Sequence, residues 1–251
     1  LYGLYRADSG DIFMDGEKKR IHSPKDAMAL GISMIQQHFS LVPAHTVTEN
    51  IILGNAHGRI DWKAREREIS KLAQTHGFDV PPDKLVRDLA VGVQQKVEIL
   101  KALYRNTHLL IMDEPTAVLT PQESEVLMQF VRGFTANGNS VIFITHKLKE
   151  VMEVADRIIV MRNGMVRGDL KRSETNEREL SRLMIGREIT ANNEKNRTRL
   201  SKESNVRLVL DGISIEDQGQ VPKLKGISFS IRKGEIFGVA GVSGNGQQEL
   251  C

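Results

Sequence analysis

Apolar residues in this chain fall into short blocks whose spacing alternates between two periods. Leu109–Met112 in THLLIMDEP and Val141–Ile144 in SVIFITH are unbroken apolar runs flanked by polar residues, the pattern of strands buried on both faces. Between them Val126, Leu127, Phe130, Val131 and Phe134 recur on one helical face. Thr120, Pro121 and Glu123 open that helix as N-cap, first-turn proline and capping-box glutamate, and Asn137-Gly138 closes it. After the second run, Leu148, Val151, Met152 and Ala155 again share a helix face. The order β-α-β-α predicts an α/β fold with a parallel sheet covered by helices. Residues 10–22 and 157–168 each read as a hairpin, around Asp15-Gly16 and Asn163-Gly164.

Residues 46–105 differ in character: capping signals at Thr46 and Glu49, a charged helix from about Trp62 to Thr75 and another from about Gln94 to Leu103. They read as a helical insertion. TANNEKNRTRLSKESN, residues 190–205, has linker composition, being charged and nearly free of aliphatic residues. Strand runs resume with VRLVLDGISI and GISFSIRKGEIFGVAGV, the last strand covering Ile236 to Ala240.

Composition narrows the class. The chain has 251 residues, 40% of them hydrophobic, enough for one large core or two ordinary ones. The net charge of +3 comes from scattered basic residues, so nucleic acid is not implied. Cys251 stands alone, which excludes an internal disulfide and fits a reducing compartment. No apolar run approaches the roughly 18 residues needed to span a bilayer, so a membrane role calls for a partner. The chain opens on LYGLYRADSG without Met and reads as a fragment of a longer protein.

The candidate chemistry lies at strand ends. Asp113 and Glu114 close the first apolar run, at the carboxyl edge where open α/β sheets bind ligands. Two adjacent carboxylates suit a division of labour, with Asp113 for Mg²⁺, partly through water, and Glu114 to accept a proton from, or orient, an attacking water. A DEP tripeptide also fits a plain strand end. His146 ends the next run and would project at the same edge, where it could hold a phosphate or water. Gln37, in ISMIQQHFSLVPAHTVTEN, follows another strand-like run, and Gln36 beside it leaves the register open. Near the end of the chain, Gly241, Gly244, Asn245 and Gly246 have the spacing of a phosphate-cradling loop, yet Gln247 and Gln248 stand where such a loop carries lysine and a hydroxyl residue.

Taken in order, QQHFSLVPAHTVTENI, LAVGVQQKVEILKAL, LLIMDEPTAVLTPQE and VIFITHKLKEV resemble the ATP-binding subunit of ABC transporters, and more narrowly the tandem-domain ATPases of bacterial simple-sugar and nucleoside importers. The resemblance covers the whole chain. It implies a P-loop NTPase fold of the ABC type, with parallel sheet core, helical subdomain and antiparallel hairpins. The implied organisation is a first ATPase domain over residues 1–189, lacking its own phosphate loop and with a helical subdomain at about 39–105, then a linker over 190–205 and the start of a second copy over 206–251. The implied cofactors are ATP and Mg²⁺. The implied roles are Glu114 as catalytic glutamate, His146 as switch histidine, Asp113 as magnesium aspartate, and Gln37 as the glutamine that touches Mg²⁺ and links nucleotide to the transmembrane subunit.

Two stretches depart from the family pattern. The signature segment, usually LSGGQ, appears as Leu89-Ala90-Val91-Gly92-Val93, without the serine hydroxyl and one glycine. The closing loop lacks its lysine at Gln247. Because the family sandwiches ATP head to tail, both departures are expected to fall on one nucleotide site, which would bind without efficient hydrolysis. Thr120, where the family often has Asp, is a third departure. The expected partners are transmembrane permease subunits and, indirectly, a periplasmic or lipoprotein solute-binding protein, at the cytoplasmic face of the membrane. QQKVEILKAL and the following ALYRN lean toward the nucleoside branch. Two rivals stay open: a soluble tandem ABC ATPase acting on ribosomes or DNA, and a module that binds nucleotide without turnover.

Overall fold

A computed structural model of the chain describes residues 1–55, 58–186, 205–216, 222–239 and 246–250, divided between two units, Leu1–Arg187 and Glu188–Cys251. The first unit opens with the hairpin β1 (Ile12–Met14) and β2 (Glu17–Lys19), followed by α1 (Pro24–Ala29) and β3 (Ile32–Ile35). Asp15 and Gly16 both have positive φ, 52° and 79°, the backbone that lets a two-residue turn follow the twist of its strands. Three helices come next: α2 (Val47–Ile52), α3 (Trp62–Thr75) and α4 (Val91–Leu103). Then β4 (Leu109–Asp113), α5 (Pro121–Ala136), β5 (Ser140–Ile144) and α6 (Leu148–Val154) alternate. A second hairpin, β6 (Arg157–Arg162) and β7 (Met165–Lys171), and α7 (Glu177–Ile185) complete the unit.

The central sheet has the order β3-β4-β5 and is parallel throughout, with Ile35 opposite Met112 and Asp113 opposite Ile144. Strand periodicity sends alternate side chains to opposite faces. Ile35, Leu110, Met112, Val141 and Phe143 join the larger core with Val47, Ile51, Ile69, Val97, Leu100 and the buried side of α5. Ile32, Met34, Leu109, Ile111 and Ile142 face a smaller core with Ile21, Ala27 and Tyr2. The helices of residues 46–105 therefore share one apolar core with the sheet. In α5 both halves of the Thr120–Glu123 capping box form, and Leu127, Phe130, Val131 and Phe134 are buried, while Val126 stays 37% exposed at the margin of that face.

Three expectations need correction. The run SVIFITH is only half-buried: β5 pairs with β4 alone among the described strands, and Ile144 remains 45% exposed. Helix α4 starts at Val91, three residues before Gln94, with Ala90 as its N-cap. Ile236–Val239 forms no strand; instead Phe237 stacks on Phe229 with ring centroids 4.6 Å apart.

The apolar face foreseen for α6 packs, with Leu180 of α7, against Ile158 and Val160 of β6. In the second unit, β8 (Val206–Glu216) and β9 (Pro222–Arg232) pair antiparallel, and α8 (Gln247–Leu250) follows. Of the expected linker, residues 190–204 lie outside the described residues, as does Ala240. Among the described residues no helix is long and apolar enough to cross a membrane.

Candidate functional site

The ends of the three sheet strands converge on one carboxylate. Glu114 N–H donates to Ile144 O at 2.9 Å, extending the β4–β5 ladder by one residue. Its own φ is then +46°, in a region that residues other than glycine rarely enter. Such backbone strain persists where surrounding structure imposes it, and often at functional positions. Glu114 Oε1 lies 2.8 Å from His146 Nδ1, just beyond β5. Gln37 Nε2, just beyond β3, donates to Glu114 Oε2 at 3.3 Å. Of the two adjacent glutamines, Gln37 is therefore the one that makes this contact.

The electrostatics of the trio follow from its donors and acceptors. An ionised carboxylate offers about four lone-pair sites, so Glu114 can still receive a proton donor such as water while bonded to His146 and Gln37. With a carboxylate opposite, His146 Nδ1 is the donor, and Nε2 donates as well only when the ring is doubly protonated. The His146 side chain is 65% exposed and that of Glu114 27%, so the edge is open to an incoming ligand.

Asp113 is half-buried at the same strand end. No hydrogen bond or ion pair occupies its carboxylate among the described residues. No group of three or more His, Cys, Asp or Glu able to hold a metal ion occurs among those residues either. A single carboxylate without another partner fits Mg²⁺, which keeps several waters and uses one or two carboxylates with substrate phosphates.

The residues likened to the signature lie at the start of α4. Leu89 precedes Ala90, which caps α4 without any side-chain bond, and Val91, Gly92 and Val93 form its first turn. Gly92 is buried against the capping-box glutamate of α5: a Cβ there would lie 1.8 Å from Glu123 Oε1. Ala90–Val93 make none of the contacts that join Gln37, Glu114 and His146. In the second unit Gly241, Gly244 and Asn245 lie outside the described residues. Gly246 has φ +95°, and a Cβ on it would stand 2.9 Å from Lys223 O, so the chain needs glycine there. Gln247 and Gln248 open α8.

Sequence reasoning missed two polar clusters that hold this site. In the first, Ser40 N–H donates to Glu98 Oε1 at 2.5 Å, and Lys101 Nζ donates to Ser40 O at 2.8 Å. The segment after Gln37 is thereby fastened to α4. Burial pushes the Glu98 carboxyl up, against the opposing pull of Lys101, the Ser40 N–H and Arg105. Burial also pulls Lys101 down, with Glu98 opposing and Arg105 adding to it. Glu98 is buried in α4 beside Val97, Ile99 and Leu100, with Lys101 half-buried one turn on, an anomaly visible in QQKVEILKAL. The second cluster joins Thr116, Lys147 and Glu150, close to the Glu114–His146 contact.

Residues 1–117 match a family model described as ABC transporter. Over its whole length the chain is 45% identical to the nucleoside import ATP-binding protein NupA of Lactococcus lactis and 46% identical to the guanosine import ATP-binding protein NupO of Bacillus subtilis.

The chain is similar throughout to import ATP-binding proteins, and residues 1–117 carry the ABC transporter pattern. It spans about half the length of these relatives, 49% of each. It is also 41% identical, over 100% of its length and 50% of the relative, to ribose import ATP-binding protein RbsA 3 of Rubrobacter xylanophilus. An ATP-binding cassette of an ABC transporter in its ADP conformation has the same fold, with a TM-score of 0.60 at 22% identity over 73% of this chain and 76% of that one. The α/β architecture, with parallel core, helical segment and antiparallel hairpins, is the one expected.

Proposed function

We propose that the full-length protein is the ATP-hydrolysing, energy-coupling subunit of a bacterial ABC importer for simple sugars or nucleosides. The observation that carries this reading is the meeting of Gln37, Glu114 and His146 at the carboxyl edge of the parallel sheet. Glu114 is the base that orients the attacking water and takes its proton. His146 holds Glu114 through Nδ1 and reaches the transferring phosphate through Nε2. Asp113, with Gln37, would hold Mg²⁺, which neutralises charge developing on the phosphate oxygens. Most of the rate enhancement in phosphoryl transfer comes from such positioned charges.

The names of the relatives given above support solute import and favour nucleosides over pentoses. Transmembrane permease subunits and a solute-binding protein are the partners, and the protein works at the cytoplasmic face of the membrane. Ala90 and Val91 remove a hydroxyl and a flexible glycine from the signature, and Gln247 removes the phosphate-binding ammonium from the closing loop, so the nucleotide contacts at these positions are weak. Uptake of labelled guanosine and ribose by cells carrying the intact importer tests the reading. Guanosine uptake that Glu114→Gln abolishes agrees with it; uptake unchanged by that substitution refutes it.

A further inference from the structure

His146 is held in place from both sides. Thr145, before it, donates to Glu150 Oε2 at 3.5 Å and accepts the N–H of Lys147 at 3.0 Å. Lys147, after it, sends Nζ to Thr116 O at 2.8 Å and to Thr116 Oγ1 at 3.0 Å, and lies 3.2 Å from Glu150 Oε1. Thr116 Oγ1 donates to both Glu150 oxygens, at 2.8 and 2.7 Å. Thr116 is 1% exposed and the Glu150 side chain 15%, so water competes little for these bonds.

Thr116 is two residues past Glu114, and Lys147 is the residue after His146. The network therefore ties the backbone carrying the carboxylate to the backbone carrying the histidine, on elements that otherwise meet through the β4–β5 ladder and the Glu114–His146 bond. Among the described residues the exposed imidazole bonds to Glu114 alone, so its direction depends on the chain on either side of it.

We propose that Glu150, acting through Thr116 and Lys147, is the positioning residue that sets His146 against Glu114. The pairing of a half-buried glutamate with a lysine and a buried threonine satisfies every partner, and it supplies rigidity where a reacting group needs placement within about an ångström. This rests on the reading of Glu114 as base, and the test separates the two.

The first readout is the Nδ1 nitrogen resonance of His146 in the 251-residue chain, assigned by its loss in His146→Gln. Glu150→Ala and Thr116→Val are expected to move it in the same direction as Glu114→Gln, and Thr116→Ser to leave it in place. A folded Glu150→Ala chain with a wild-type His146 resonance overturns the proposal. If Glu150→Ala does not fold, Lys147→Met, which removes only the ammonium, is judged by the same criterion.

The second readout is hydrolysis by the intact importer. Glu150→Ala and Thr116→Val are expected to lower kcat by roughly ten- to a hundredfold with KM for ATP little changed, and Thr116→Ser to restore it. A loss confined to KM overturns the proposal. Hydrolysis untouched by Glu114→Gln defeats the base reading, while the resonance still judges the clamp.

Discussion

Asn50 offers a test of how the segment after Gln37 is held. It is fully buried in α2 and makes four bonds: Oδ1 accepts Val42 N–H at 2.7 Å, while Nδ2 donates to Val42 O, His45 O and Thr46 O at 3.1, 3.4 and 2.9 Å. All three of these acceptors have other donors: His45 O accepts the backbone N–H of Val86 as well. Val42 O also accepts His45 N–H, and Thr46 O also accepts the backbone N–H of residue 50 itself. Asn50→Ala therefore strands chiefly Val42 N–H, a half-buried donor. An unsatisfied buried group costs about 1–3 kcal/mol, and each lost bond about 0.5–1.5 kcal/mol net. Allowing for the alternative donors, the expected loss is about 2–4 kcal/mol.

Asn50→Asp keeps the acceptor for Val42 N–H but sets a carboxylate against three carbonyl oxygens. It should cost at least as much as alanine. Urea unfolding followed by the fluorescence of Trp62, the single tryptophan, reports on this unit. A loss below about 1 kcal/mol for Asn50→Ala, or an aspartate variant milder than alanine, would refute the accounting.

The remaining predictions concern packing and pH. Gly92→Ala places a methyl group on Glu123 Oε1 and should break the α5 capping box, costing about 1–2 kcal/mol; the cost should shrink in a Glu123→Ala background, as paired unfolding curves would show. Glu98 is raised by burial, so the folded chain keeps a proton that the unfolded chain releases, and stability falls as pH rises through the interval above the ordinary glutamate value. Glu98→Gln should flatten that part of the stability profile. His76, half-buried beside Phe78 and edge-on to Phe130, is lowered by burial. Its contribution is present above the ordinary histidine value and fades as pH falls through and below it, and His76→Gln should remove that acid-side loss from unfolding curves measured between about pH 4 and pH 7.

Where local signals and tertiary packing agreed, the fold was readable from sequence. Thr120, Pro121 and Glu123 marked the start of α5, and Asp15-Gly16 and Asn163-Gly164 marked their turns, because caps and primed turns are decided within a few residues. Helix α3 runs from Trp62 to Thr75, as its pattern predicts. The start of α4 was misplaced because Ala90 offers no capping side chain to mark it. The exposure of β5 was misjudged because an apolar run does not say whether a neighbouring strand covers its outer edge.

At the site, strand-end position pointed to Glu114 and His146, but only long-range geometry could choose Gln37 over Gln36. The supporting residues were harder still. The bonds that join Thr116 to Lys147 and Glu150, and Ser40 to Glu98 and Lys101, span 31 to 61 residues in sequence, which no local pattern records.

The central claim is that Glu114 is the base for ATP hydrolysis. Phosphate release by the intact protein assembled with its permease, compared between wild type and Glu114→Gln under single-turnover conditions, tests it most directly. The account predicts that the variant binds ATP with near wild-type affinity and that its release of phosphate falls by roughly a hundredfold or more. Wild-type phosphate release from the variant would contradict it.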